Sequence, residues 1–247
     1  MPYPPANLSI QGRPLSRRRF IQGAGGLLTP VIASLILPAS AGLILPRKSL
    51  AWPFPGPGRA PYFILDSFTD SDGTTLEAHK ANWVKMNSDP SAEIHGNRGR
   101  VADIDQEPRY AWNQSLGPDC EVFARFPVSG SSTGFLNRSL LLRYTTTVQA
   151  TADGYMFKTF SGADMRIRRA DNGTETTLDS DTIAVSNGDK LTLRAVGSTI
   201  TGLQNGVEVL SATDATYGDG GFPGLAIGGD TDTVTMTEVD NFGARTL

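Results

Sequence analysis

Asn205-Gly206 ends one run of alternating β-branched and apolar residues and begins another, and no other feature constrains this chain as tightly. Both central residues of a type I′ turn need positive φ, which Asn and Gly adopt at least cost, so the pair between alternating strands is a strong hairpin signal. The surrounding stretch, KLTLRAVGSTITGLQNGVEVLS at 190–211, holds three such runs, at 191–196, 199–204 and 207–210, with Gly197-Ser198 between the first two. It predicts a three-stranded antiparallel meander to which the rest of a β-domain pairs. Glu208 is the only carboxylate within it, so the meander is scaffold.

The chain of 247 residues divides near residue 60. Residues 1–60 carry seven basic side chains and no acidic one, and taking seven from the whole-chain charge of −3 leaves −10 for 61–247. Eleven of the 16 prolines fall at or before Pro61. A net acidic domain lacks the basic footprint that nucleic acid requires. Cys120 is the single cysteine, which excludes a disulfide framework within the chain and a thiolate metal site. It alternates with Val122 and Ala124 and is read as a small buried hydrophobe.

The first segment supports three readings. Ser16-Arg17-Arg18-Arg19-Phe20, a Gly-rich apolar stretch and Ala39-Ser40-Ala41 together resemble a twin-arginine export signal with its cleavage site. The apolar run continues past Ala41 as Gly42-Leu43-Ile44-Leu45, which suits instead an extended, Pro-rich, basic and apolar arm buried by neighbouring proteins. A membrane span over 21–45 ranks below both, because Pro30, Pro38 and three glycines interrupt it. The Pro/Gly linker at 52–58 closes the segment.

From residue 62 the chain reads as about a dozen short strands separated by Asn-Gly and Asp-Gly turns, with a helical turn at 75–80. In 120–126, Glu121, Phe123 and Arg125 alternate against Cys120, Val122 and Ala124; in 163–169, Met165 and Ile167 point inward and Arg166 and Arg168 outward. Asn172-Gly173 marks a second hairpin. The expected fold is all-β, a two-sheet antiparallel sandwich over 61–247 behind an arm at 1–60.

Asp66-Ser67-Phe68, Trp83, GDKLTLRAVGSTITGLQNGVEVLSATDATY and Val239-Asp240-Asn241-Phe242 resemble the concanavalin A-like lectin/glucanase superfamily. They look most like its laminin-G-like jelly rolls, common in bacteriophage structural proteins and secreted bacterial proteins. The resemblance covers about 62–244 and implies that the first and last strands share a sheet, with Asp66-Ser67-Phe68 beside Asp240-Asn241-Phe242. It specifies function poorly, since the superfold hosts lectins, glycosidases and structural modules.

Several constellations are candidates for chemistry. Asp103, Asp105 and Glu107 recur with period two and resemble the Glu-x-Asp-x-Glu strand of retaining glucanases. Asp103 stands where the resemblance puts a nucleophilic Glu, and Pro108 ends the strand, so the cluster reads as a solvated face and the protein as a non-enzyme. Asp230 and Asp232 are the calcium candidates, with no other cofactor expected, and the EF-hand spacing fails around Asp70, Asp72 and Gly73. Arg166, Arg168 and Arg169, with Tyr144, Tyr155 and Phe157, are the glycan-contact candidates, against a bland reading as outward arginines and inward aromatics. His79 and His95 stand isolated in polar contexts, with no triad or His-rich metal site.

The expectation that follows is a non-catalytic virion protein. Its jelly roll binds surface glycans, and Arg17, Arg18, Arg19 and Phe20 belong to an arm that meets other virion proteins. Oligomers are expected because the arm's apolar run has to be covered. The alternative is a carbohydrate-binding protein, secreted or periplasmic through the twin-arginine route; a glycoside hydrolase using Asp103, Asp105 and Glu107 comes third.

Overall fold

The computed structural model describes residues 63–101, 106–129, 137–160, 163–228 and 236–247. The arm with Arg17, Arg18, Arg19 and Phe20, and the four aspartates Asp103, Asp105, Asp230 and Asp232, lie outside them.

The strands are β1 (Ile64–Asp66), β2 (Trp83–Lys85), β3 (Ala92–Ile94), β4 (Gly99–Val101), β5 (Arg109–Trp112), β6 (Cys120–Phe126), β7 (Val128–Ser129) and β8 (Arg138–Tyr144), then β9 (Gly154–Phe160), β10 (Asp164–Asp171), β11 (Thr174–Thr182), β12 (Asp189–Val196), β13 (Thr199–Gln204), β14 (Val207–Thr213), β15 (Phe222–Ile227) and β16 (Met236–Thr246). The predicted helical turn is present as Leu76–His79, and a 3₁₀ turn occupies Gln149–Thr151. The strands form two antiparallel sheets. The first runs β14-β13-β12-β6-β16-β4-β3, with β1 and β7 also on β16; the second runs β11-β10-β9-β8-β15-β5-β2.

The meander forms as the sequence requires. Asn205 and Gly206 sit at φ 53° and 85°, and β13 lies between β12 and β14. Asn205 also reaches outside its own turn, accepting from the Lys190 amide at 3.0 Å and donating to Asp189 at 2.7 Å. The meander joins the sheet through β12, which pairs with β6 over seven residues, and β14 is an edge.

The first and last strands do share a sheet, with Ile64 opposite Gly243 and Asp66 opposite Phe242. Phe68 and Asn241 adopt positive φ there, 54° and 52°, and the register shifts between Ile64 and Asp66 and between Asp240 and Gly243. Trp83 stacks on Phe68 at 6.1 Å and packs edge-on against Trp112 at 5.0 Å, while Phe242 lies 4.7 Å away. Phe68, Trp83 and Phe242, three of the residues that carry the resemblance, therefore form with Trp112 one aromatic knot in the core.

Two expectations are corrected. Neither histidine is isolated: His95 Nδ1 meets Asp72 at 3.2 Å, while His79 meets Asp66 through Nε2 and Asp70 through Nδ1, both at 2.9 Å, with a side chain 6% exposed. An acceptor at each ring nitrogen favours the imidazolium, which donates at both. Asp66 is the hub of this knot, also accepting from the Trp83 indole at 2.6 Å and the Phe68 amide at 2.7 Å. The alternation in β6 holds, with Cys120, Val122 and Ala124 in the core, but Glu121 and Phe123 on the other face are buried too. Arg194 of β12 and Arg245 of β16 stand directly opposite Glu121 on either side, and each meets its carboxylate at 2.7 Å. The two guanidiniums shield the charge from water and neutralise it.

Candidate functional site

The second sheet buries one face against the first sheet and has further groups on the other. Its core face carries Tyr110, Trp112, Leu140, Leu142, Tyr155, Phe157, Met165, Ile167, Leu225 and Ile227. The cross-strand register aligns the other face in rows: Arg109, Ala226, Ser139, Lys158 and Arg166 form one, and Ala111, Gly224, Leu141, Met156 and Arg168 the next.

These rows do not lie flat. Arg109 of β5 donates to Glu175 of β11 at 2.8 Å, although five strand spacings separate the two strands in the sheet order. Laid flat, that is about 24 Å of sheet, too far for two side chains to span. The sheet must curl toward this face, which makes it concave, and the ion pair clasps the curl. The turn after β8 repeats the closure, its Gln149 amide bonding the Met86 carbonyl at 3.1 Å.

Inside the curl is a small apolar cluster of Met86, Ala111, Leu141, Tyr144, Ala152, Met156 and Ala170, with Phe222 against it. Over it lies an ionic network. Glu107 accepts from Lys158 at 2.7 and 2.9 Å and from Arg109 at 3.3 Å, while Glu175 meets both Arg109 and Arg168. Burial alone would raise the Glu175 pKa, but the nearby Arg109 and Lys158 charges outweigh it and hold the group below its ordinary value. Small residues at Ser139 and Ala226 leave room for Glu107 to lie across the sheet. At the far edge Phe160 is ringed by cations, with Arg166 4.8 Å, Lys158 4.9 Å and Arg168 5.9 Å from its centroid.

This face is short of hydrogen-bond partners. Asn137 Oδ1, Ser139 Oγ, Tyr144 OH, Gln149 Oε1 and Arg168 Nε are buried with none. Buried polar groups are satisfied in most native proteins, and water or a hydroxylated ligand can complete these, as water can for Trp112 Nε1 and Arg138 Nε on the other side of the sheet.

Of the glycan-contact candidates, Arg166 and Arg168 lie on this concave face. Arg169 does not. It belongs to the core-side face, where it binds Asp171 at 2.9 Å and Asp214 at 2.7 Å beside Tyr155. Tyr155 and Phe157 are core, as the bland reading has it, whereas Tyr144 joins the concave cluster. Glu107 precedes β5 and lies in no strand, so its placement owes nothing to strand periodicity. Arg109 and Glu175 carry no joint signal in the sequence, because only the curl brings them together, and Phe160 stands out only once β9 and β10 pair.

One end of the concave face opens into a groove of about 480 Å³, lined by Met86, Asn87, Ser88, Val148, Gln149, Ala150, Asn172, Gly173 and Thr174. Gly173, at φ 75°, is the wall that lets the hairpin approach the 3₁₀ turn: a Cβ there would come within 2.8 Å of the Gln149 carbonyl oxygen. Among the described residues no group of three or more His, Cys, Asp or Glu side chains is placed to hold a metal ion.

No protein-family model and no curated protein sequence matches the chain. Solved structures do. The carbohydrate-binding module CBM66 from Bacillus subtilis aligns with a TM-score of 0.51 at 15% identity, over 67% of this chain and 96% of that one. The potassium-bound carbohydrate recognition domain of Emp46p aligns at 0.56 and 8% identity, over 74% and 96%. A β-1,3-1,4-glucanase (lichenase) derived from a mouse hindgut metagenome aligns at 0.51 and 12% identity, over 73% and 97%. At these identities the shared property is the fold, a concanavalin A-like jelly roll of the lectin/glucanase kind.

Proposed function

We propose that the domain is a non-catalytic saccharide-binding module. The observation that carries this is the state of Glu107 and Glu175, the two carboxylates that lie over the apolar cluster among the described residues. Glycoside hydrolysis needs a pair of carboxyl groups facing the sugar from opposite sides, one of them able to deliver a proton. Glu107 is held by Lys158 and Arg109, and Glu175 by Arg109 and Arg168, within a closed ionic roof over an apolar floor. Carboxylates locked in this way serve as structure. Two of the three similar structures described above are carbohydrate-binding domains by their own names, which supports the reading.

The test is reducing-end release from β-glucans by the full chain and by its Glu107→Gln variant. No turnover by either protein is expected. Turnover by the wild type that disappears in Glu107→Gln overturns the proposal in favour of a glycoside hydrolase.

For the arm, we retain anchoring in a virion as the working reading, with other virion proteins as partners and surface glycans as the target of the jelly roll. It rests on the basic and apolar composition of 1–60 and on the apolar run that overshoots Ala41. Mass spectrometry of the mature protein decides: Arg17, Arg18 and Arg19 retained in an assembled particle is the expected result, and a start at Gly42 means export with cleavage.

A further inference from the structure

The centre of the concave face is occupied by the protein's own side chains, so a bound saccharide has to be seated at its margin or beyond it. Three places deserve comparison. The cation-ringed Phe160 offers an aromatic surface, but Arg166 is tied to Asp164 at 2.5 Å and Lys158 to Glu107 at 2.7 Å, so its charges are already spent. A second cavity of about 340 Å³ lies beside Phe63, Trp112, Gln114 and Thr246, and among the described residues its lining carries no buried, unpartnered polar side-chain group other than the Trp112 indole. The third is the groove between the end of β2, the 3₁₀ turn and the Asn172-Gly173 hairpin.

We infer that this groove is the saccharide site and that its ligand is a neutral sugar. The inference rests on the saccharide-binding reading above and adds the place and the chemical class. Three observations carry it. The volume, about 480 Å³, falls within the range of small-ligand sites. The lining combines neutral hydrogen-bonding side chains (Asn87, Ser88, Gln149, Asn172, Thr174) with apolar Met86 and Val148, and among the described residues no ionisable side chain lines it. An anionic sugar would leave water there without a countercharge, whereas a neutral one exchanges hydroxyl–water bonds for hydroxyl–amide bonds. Finally, Gln149 contributes an Oε1 that is buried and has no donor, and a sugar hydroxyl supplies one.

The walls are built rather than incidental. Asn87 is pinned on both sides, donating to the Glu107 carbonyl at 2.9 Å and accepting from the Arg109 amide at 3.1 Å. The opposite wall is fixed by the Gly173 amide on the Ala152 carbonyl at 2.9 Å and the Asn172 amide on Asp153 at 2.7 Å. The groove therefore holds its shape without ligand, which lowers the ordering cost of binding.

Isothermal titration of the full chain tests the inference. The probes are neutral trisaccharides built from aldohexoses and from ketohexoses, with uronate-containing trisaccharides as comparators. Three variants accompany the wild type: Ala150→Trp and Ser88→Trp, both at exposed lining positions where an indole fills the groove, and Gln149→Leu. The expected result is binding of a neutral trisaccharide that weakens about tenfold or more in each variant. The melting temperature of Gln149→Leu should hold or rise, because an unsatisfied buried oxygen is removed. Wild-type affinity in both tryptophan variants overturns the site while leaving saccharide binding intact. Preference for the uronate probes overturns the ligand class. Failure of the wild type to bind any saccharide removes the functional reading itself, and the inference with it.

Discussion

Replacing Glu175 with Gln tests whether the curl of the second sheet is held by charge. The substitution keeps the shape and one acceptor oxygen while removing the charge that Arg109 and Arg168 share. Glu175 is 15% exposed, and the two arginines are 10% and 18% exposed, so solvent screening is weak. At an effective dielectric near 20, a pair of unit charges about 4 Å apart interacts by about 4 kcal/mol. Desolvation of both partners offsets part of this, and the Gln oxygen recovers part of the hydrogen bonding, leaving an expected loss of about 2–3 kcal/mol. Urea unfolding monitored by tryptophan fluorescence reads it directly, since Trp83 and Trp112 are buried in the core. The loss should depend on pH. The folded Glu175 pKa is depressed, so its contribution is present above the unfolded value of about 4.3 and disappears as pH falls through the folded value. Wild type and Glu175→Gln should therefore converge in acid. A difference below about 0.5 kcal/mol at pH 7, the usual range for an exposed surface change, would refute the clasp.

Three further outcomes follow from the structure. Burial opposes the charged form of His79, but hydrogen bonds to Asp66 and Asp70 outweigh it and raise its pKa, so its stabilisation is full below about 6.5 and is lost as pH rises through the folded value. His79→Asn should flatten that alkaline decline in urea titrations between pH 5 and 9 (about the range over which histidine and its shifted forms titrate). Glu121→Gln leaves Arg194 and Arg245 facing each other without the carboxylate charge between them, and should cost about 3 kcal/mol or more by urea unfolding. Cys120 is buried and its thiol pKa is pushed up to about 11 by that burial, so iodoacetamide at pH 8 should label it only after denaturation.

The parts of the fold that are legible in the sequence are those set by local stereochemistry. Asn205-Gly206 and Asn172-Gly173 announce hairpins because few other pairs accept positive φ twice in succession, and both turns form with that geometry. Met165 and Ile167 against Arg166 and Arg168 give the face of β10 because side chains alternate along a strand. Alternation says nothing of what lies over a face, which is why Glu121 reads as exposed and is buried between two arginines 73 and 124 residues away in sequence. Sequence adjacency groups Arg169 with Arg166 and Arg168, but period two sends it to the other side, to Asp214. The concave site was the least legible part. Arg109 and Glu175 are 66 residues apart, and their meeting depends on twist accumulated over six strands, which no single segment encodes. Glu107 stood out for its spacing from Asp103 and Asp105, yet its position follows from reaching Lys158 across Ser139 and Ala226.

The most direct test of the central claim is a glycan microarray probed with the full-length chain at near-neutral pH. Saccharide binding by this jelly roll predicts retention on at least one family of neutral glycans, with no release of sugar from the spots during prolonged incubation. Retention on none of them, by a protein shown to be folded by its cooperative urea transition, would contradict the account.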